Sequence, residues 1–298
     1  MMRTNRHLAL LACLVIVTAC SPKEQASQAA SDAELDRLAA RAARVEIIRD
    51  DFGVPHVYGE TDADAVFGML YAQAEDDFPR IESNYIKAIG RLAEVDGEAA
   101  IYSDVRARLY MTIDEAKAAY ASAPGWLQAL CDAYADGLNY YLATHPGVEP
   151  ALLRRFEPWM PMFFFEGSIG GDIERIQLNG LAEMYGDQLM TQAPVSAFAG
   201  TQNASNGFAI AGERTRSGDA MLLINPHTTF YFRGEMHVVS EEGLNAYGAV
   251  TWGQFFIYQG INEDTGWMHT STRVDFIDQF IEDVNEVDGN LVYRYGAE

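Results

Sequence analysis

Apolar residues fall three and four apart between Val66 and Ala74, where Val66, Phe67, Leu70, Tyr71 and Ala74 share one helical face. Thr61 precedes this run as an N-cap, so the spacing predicts a helix from that point. The same reading places helices over 31–44, opened by the capping pattern Ser31-Asp32-Ala33-Glu34, over 80–95, and from Ile113 to about Leu142. Two β-rich pieces, 45–50 and 54–61, flank the turn residues Asp50-Asp51-Phe52-Gly53. The stretch "PWMPM", 158–162, closes the helical part. After Thr201 the texture changes. Short strand-like runs at 206–212, 220–225, 235–241, 245–250, 255–262 and 266–272 succeed one another, separated by Gly, Asn and Asp. The chain is helical first and mainly β afterwards, with the change at Ser205. It reads as an α+β fold without an internal repeat.

The first residues stand outside this fold. Arg3 and Arg6 precede the apolar run Leu8–Val17, which leads into Val17-Thr18-Ala19-Cys20. A basic start, a short apolar stretch and small residues at the cut describe a secretory signal over 1–19, too short to span a bilayer. Cys20 sits where a bacterial lipobox carries its lipidated cysteine; an ordinary signal cut near Ala19 is the alternative. Ser21 follows Cys20 with no aspartate beside it, so the expected location is the periplasmic face of the outer membrane. Residues 20–30, small and polar, read as a tether. With Cys13 removed and Cys20 lipidated, Cys131 is left without a disulfide partner. The formal charge of −22 opposes binding to nucleic acid, whose phosphates would repel the chain.

The runs "NGFAIAG" and "AMLLIN" flank the turn-rich "ERTRSGD". Pairing them as a hairpin centred near Arg216 sets Ser205 opposite His227, within a residue or two. A serine and a histidine then emerge at one end of one hairpin.

At this point the sequence resembles a known family. "ASNGFAIAGERTRSGDAMLLINPH" (204–227) resembles the penicillin acylase family of N-terminal-nucleophile hydrolases, including its aculeacin-acylase and acyl-homoserine-lactone-acylase branch. The resemblance extends over "RDDFGVPHVYGETDADAVFGMLYAQAEDDFPRI", "GRLAEVDG", "AYADGLNYYL", "EPWMP" and "GINEDTGWMHTS", in order. It implies a partial αββα sandwich preceded by a largely helical α-chain. It divides the chain into 31–190 as α-chain, 191–204 as linker or spacer, and 205–298 as the start of the β-chain. Self-cleavage is implied between Ala204 and Ser205. The new chain would then hold a hydroxyl and a free α-amine in one residue. Such an amine titrates near about 7.7–8.0 and serves as a base at neutral pH. The two chains would stay associated after processing.

The resemblance also assigns roles. His227 orients Ser205 and its amine, and the backbone N–H of Ser271 is one oxyanion donor. The second donor in the family is an asparagine far beyond residue 298, so the chain reads as the opening part of a longer precursor. Asp275 and Asp278, with the Ile277 carbonyl between them, resemble the calcium ligands of the penicillin G acylase branch. Asp172 is the expected acidic partner and Glu174 the second choice; oxygen donors of this kind suit Ca2+. A solvated acidic face is the competing reading of these carboxylates. No organic cofactor is implied.

Other signals point to structure. His56 in "GVPHVYG" reads as structural, and His237 and His269 show no metal-ligand spacing with His227. Glu166-Gly167-Ser168-Ile169-Gly170 lacks the first glycine of a nucleophile elbow. Phe163-Phe164-Phe165 suits a core or, by the resemblance, an acyl pocket. The function expected is hydrolysis of small N-acyl amides, such as acyl-homoserine lactones or β-lactam side chains. The rival is a non-catalytic envelope lipoprotein that binds acyl ligands on the same fold.

Overall fold

The computed structural model describes residues 31–163, 176–185, 204–228, 231–270, 280 and 282–296. Helix α1 (Asp32–Ala42) is capped by Ser31, whose hydroxyl accepts the Glu34 N–H at 3.2 Å. Strands β1 (Val45–Arg49) and β2 (Pro55–Gly59) form the first hairpin. Helix α2 (Asp62–Ala88) starts on the Thr61 cap and bends where Asp77 leaves helical geometry, two residues ahead of Pro79. Proline cannot extend the preceding turn, and Asp77 Oδ1 re-caps the second half by accepting the Arg80 N–H at 3.2 Å. Helices α3 (Ala93–Asp96), α4 (Ile101–Arg108), α5 (Ile113–Ser122), α6 (Gly125–Thr144) and α7 (Leu178–Met184) follow.

The single helix expected from Ile113 to about Leu142 is two helices. Pro124 lacks an N–H and drives Ala123 to extended backbone, so α5 ends and α6 begins across it. Later come β3 (Ala204–Ile210), β4 (Met221–His227), β5 (Arg233–Ser240), β6 (Asn245–Thr251), β7 (Gln259–Ile261), β8 (Gly266–Trp267), β9 (Val284–Val287) and β10 (Asn290–Tyr293).

Six strands form one sheet in the order β1-β2-β5-β6-β7-β8, in which β2 and β5 run parallel and every other pair antiparallel. The strands therefore come from both sides of Ser205. Helix α2 lies on β1, β2 and β5, and α6 packs on α2. The core between these layers holds Val57, Phe67, Leu70, Tyr85, Tyr134, Leu138, Phe156, Met236 and Val238. The helices approach closely because Gly137 faces α2: a methyl there would stand 2.5 Å from the Phe67 carbonyl oxygen.

Several polar groups buried at these contacts are paired. Gln73, fully buried, donates to the Gln254 carbonyl at 2.8 Å and accepts the Gly253 N–H at 2.9 Å. Tyr85 donates to the Gly253 carbonyl and Asn84 to that of Trp252. Glu82 accepts the N–H groups of Ala151, Leu152 and Leu153. Burial pushes the Asp64 carboxyl upward, but hydrogen bonds from Arg44 and Thr61 and the charge of Arg41 outweigh it and hold the group below the usual carboxylate range.

The fold is α+β, as expected: a helical layer on one sheet, with the β3–β4 and β9–β10 hairpins as separate two-stranded sheets among the described residues. Gly137→Ala is expected to lower stability by about 1–3 kcal/mol, because the helices must part to admit the methyl; urea unfolding measures it. Asp64 contributes stability that is complete above about pH 3.9 and is lost as pH falls through its depressed folded-state value. Asp64→Asn should flatten that acid decline in unfolding midpoints taken between pH 3 and 7.

Candidate active site

The β3–β4 hairpin aligns Ala204 with His227, Ser205 with Pro226 and Asn206 with Asn225. Ser205 is thus one residue out of the register expected from a centre near Arg216. The 3-10 turn at Gly212–Arg214 and the clasp of Thr215 set the pairing centre between residues 215 and 216. The Thr215 hydroxyl lies 2.9 Å from the Gly212 carbonyl and 2.8 Å from that of Asp219, and accepts the Gly218 N–H. A one-residue shift changes the face on which a side chain stands. Ser205 shares its face with Leu222, Ile224 and Pro226. His227 stands on the other face, with Asn206 and Asn225.

On that second face the two asparagine amides approach one ring nitrogen. Asn225 Nδ2 lies 3.1 Å and Asn206 Nδ2 3.4 Å from His227 Nε2. Amide N–H groups only donate, so Nε2 is the acceptor and Nδ1 carries the proton in the neutral ring. His227 is directly across from Ala204, the residue before the expected cut. The hairpin end thus brings the serine, the histidine and that peptide together. It does not bring the imidazole to the serine side chain's face.

The Ser205 face rests on the edge of the large sheet. Gly207 leaves room for the Met268 thioether, and Gly266 for Leu222, where a methyl on either glycine would collide. The Thr270 hydroxyl donates to the Ser205 carbonyl at 2.7 Å. This bond joins residues far apart in sequence and ties β3 to the segment that leads into Ser271. The Tyr258 ring lies 4.6 Å from the His269 ring, and the Arg233 guanidinium sits over Tyr258 at 4.3 Å. Gln259 donates to the His269 carbonyl at 3.5 Å.

Thr270, Asn206, Asn225 and Arg233 received no role from the sequence. Thr270 lay within a quoted motif, and only the tertiary contact shows what its hydroxyl does. Ser271, Asp275, Ile277, Asp278, Asp172, Glu174 and Cys20 lie outside the described residues. Among the described residues no group of three or more His, Cys, Asp or Glu side chains is arranged to hold a metal ion. No described helix is long and apolar enough to cross a membrane.

Residues 44–298 match the family model for penicillin amidase. The chain belongs to the penicillin amidase family. Its relatives include the acyl-homoserine lactone acylase PvdQ of Pseudomonas fluorescens strain Pf0-1, 26% identical over 76% of this chain and 32% of the relative. The acyl-homoserine lactone acylase QuiP of Pseudomonas aeruginosa PAO1 is 26% identical over 85% of this chain and 36% of the relative. A thermostable penicillin G acylase from Alcaligenes faecalis superposes with a TM-score of 0.39 and 23% identity, over 47% of this chain and 79% of that one. At that score the superposition carries no weight for the fold. This penicillin amidase family chain spans about a third of the length of the curated relatives it matches.

The docking of the hairpin is testable without any assumption about catalysis. Gly207→Ala alone should destabilise the chain by about 1–3 kcal/mol, because its methyl meets the Met268 thioether. Adding Met268→Ala should recover part of that loss. A thermodynamic double-mutant cycle would measure the coupling, and strict additivity would show that the two residues do not touch.

Proposed function

We propose that this protein is an amidohydrolase of small N-acyl compounds, with Ser205 as its nucleophile once the Ala204–Ser205 peptide bond has been cut. The observation that supports this best is the Thr270–Ser205 hydrogen bond, which ties the nucleophile strand to the approach to Ser271. Ser205 then begins a chain, and its own α-amine is the base. The hydroxyl attacks the amide carbonyl and gives its proton to the amine. The oxyanion is met by the Ser271 N–H, an interaction of a type worth roughly 3–4 kcal/mol per donor. As the tetrahedral centre collapses, the carbon–nitrogen bond breaks and the amine leaves with the proton. Water then cleaves the Ser205 ester, releasing the acid and restoring the hydroxyl.

His227, across from Ala204 and backed by two asparagine amides, is assigned to the scissile peptide and the amine it becomes. This narrows its role from orienting Ser205 and its amine to holding that nitrogen. An N-terminal-nucleophile αββα core is part of the same proposal, with the β3–β4 hairpin as the start of its second sheet.

The substrate class follows from the relatives named acyl-homoserine lactone acylases: an N-acyl homoserine lactone first, a β-lactam side-chain amide second. After the cut, α2, β1 and β2 belong to one piece and β5–β8 to the other. The β2–β5 pairing and the hydrogen bonds of Gln73 and Tyr85 support their remaining together. We include in the proposal a lipid anchor at Cys20, a periplasmic, outer-membrane location, and calcium at Asp275, Ile277, Asp278 and Asp172; no catalytic step above runs through the ion.

Mass spectrometry of the expressed protein should show two pieces, the second beginning at Ser205, that co-purify until denaturant separates them. Ser205→Ala should leave a folded, uncut chain that releases no acid from an N-acyl homoserine lactone. Turnover retained in that variant would refute the assignment. An uncut parent that binds acyl ligands would favour the lipoprotein reading.

A further inference from the structure

The large sheet has two faces, and the hairpin that carries Ser205 lies against only one of them. Along β8, Gly266 makes room for Leu222 of the hairpin, while its neighbour Trp267 lines a cavity of about 630 Å³ on the opposite face. Along β5 the same alternation holds: Val238 lines the cavity, and His237 points the other way, where its ring meets that of His56. The thickness of the sheet thus separates the cavity from Ser205.

Helix α2 lies on β1, β2 and β5, and the cavity opens beside it, over β6 and β8. Its walls are apolar, with Met69 from α2, Leu130 from α6, Ala246 from β6 and Phe255 from the loop after β6. The one donor of Trp267 is spent on the Ile257 carbonyl at 3.1 Å, so its ring offers the cavity an apolar surface. Size and lining are those of a small-molecule pocket, in which a few polar groups set the choice of ligand. Here every charged residue around the cavity is acidic: Asp62, Glu263 and Asp264 line it, and no Lys, Arg or His does. Asp62 accepts the Ser240 hydroxyl at 2.5 Å and Glu263 the Asn245 amide at 2.9 Å. Both donors are uncharged, so they position the carboxylates and leave the negative charge in place. Two aromatic rings of the same cavity, Trp126 and Phe256, stay 66% and 49% exposed. Ring faces of this kind attract a cation.

We propose that this cavity binds a small amphiphile with an apolar body and a protonated amine. The body fills the space between α2, α6 and the sheet. The ammonium stays at the mouth, among Asp62, Glu263 and Asp264 and the rings of Trp126 and Phe256. Burial of the body supplies affinity, and the acidic rim rejects an apolar acid of the same length. The site requires neither the cut at Ser205 nor catalysis.

The probe is decylammonium, with decanol and decanoate as matched compounds, each below its micelle concentration and added to the purified protein at pH 7.5. Calorimetry should show one decylammonium bound per chain, decanol roughly tenfold weaker and decanoate weaker still. Raising salt from about 20 to about 200 mM should erode the preference for the amine without changing decanol binding. Glu263→Gln with Asp264→Asn should weaken decylammonium several-fold and leave decanol unchanged. Glu183→Gln with Glu286→Gln, the same charge change on exposed residues elsewhere, should leave both unchanged. On the unaltered protein, nuclear magnetic resonance of 13C-methyl methionine locates the ligand: the Met69 methyl should shift, and that of Met268, on the other face, should not. The proposal is overturned by the absence of saturable binding, by amine affinity indifferent to Glu263 and Asp264, or by a shift at Met268 without one at Met69. Decanol bound as tightly as decylammonium would also overturn it, marking a groove for any apolar group, such as a helix. So would a dimer in sedimentation that decylammonium breaks apart, which would assign the cavity to a second copy.

Discussion

The buried amide of Gln73 bonds the backbone of residues 253 and 254, and through it a helix from the first part of the chain fixes a loop of the second. The rest of the structure depends on this clasp. Helix α2, bent at Asp77, has three jobs: it covers β1 and β2, it holds the loop after β6, and it receives α6 on its outer face. Gln73, Asn84 and Tyr85 each bond a backbone group of that loop, and losing one of them would leave a dehydrated backbone group behind, at a cost of about 1–3 kcal/mol. The clasp is therefore specific as well as stabilising. From β6 the order passes strand by strand to β7 and β8, and from the residues after β8 to the hairpin that carries Ser205.

How much of this was legible in the sequence follows from the range of each interaction. The caps at Ser31, Thr61 and Thr112 are local, since each hydroxyl bonds an N–H three residues on, and two of them were read directly. The kink at Asp77 and the break at Pro124 are equally local; the second was passed over because the apolar spacing continues through it. The β9–β10 hairpin carried a readable sign as well. Asp288-Gly289 takes positive φ at both positions, 52° and 78°, the geometry that Asp-Gly favours between strands.

The candidate site was legible only as far as one hairpin reaches. Pairing on either side of a turn placed Ser205 and His227 at one end, but the turn's internal hydrogen bonds decide the register, and they depend on Thr215 and Asp219 rather than on any alternation of apolar residues. The contacts that complete the site have no local signature. Thr270 reaches Ser205, and Met268 fills the space left by Gly207, only because the sheet edge lies there. The partnership of His56 with His237 is invisible for the same reason: their spacing in sequence obeys no motif, and only the parallel register aligns them.

That parallel register has a kinetic side. Residues 56 and 237 are 181 positions apart, so β2 must wait for most of the described chain before its neighbour in the sheet exists. Loops of that size are slow to close, and sheets built on them are slow to nucleate. In the meantime β1 and β2 form a ribbon with a bare edge, the kind of surface that pairs with the wrong chain. A protein of this topology, made from its N-terminus, gains from being kept unfolded, or shielded, until the far strand has arrived.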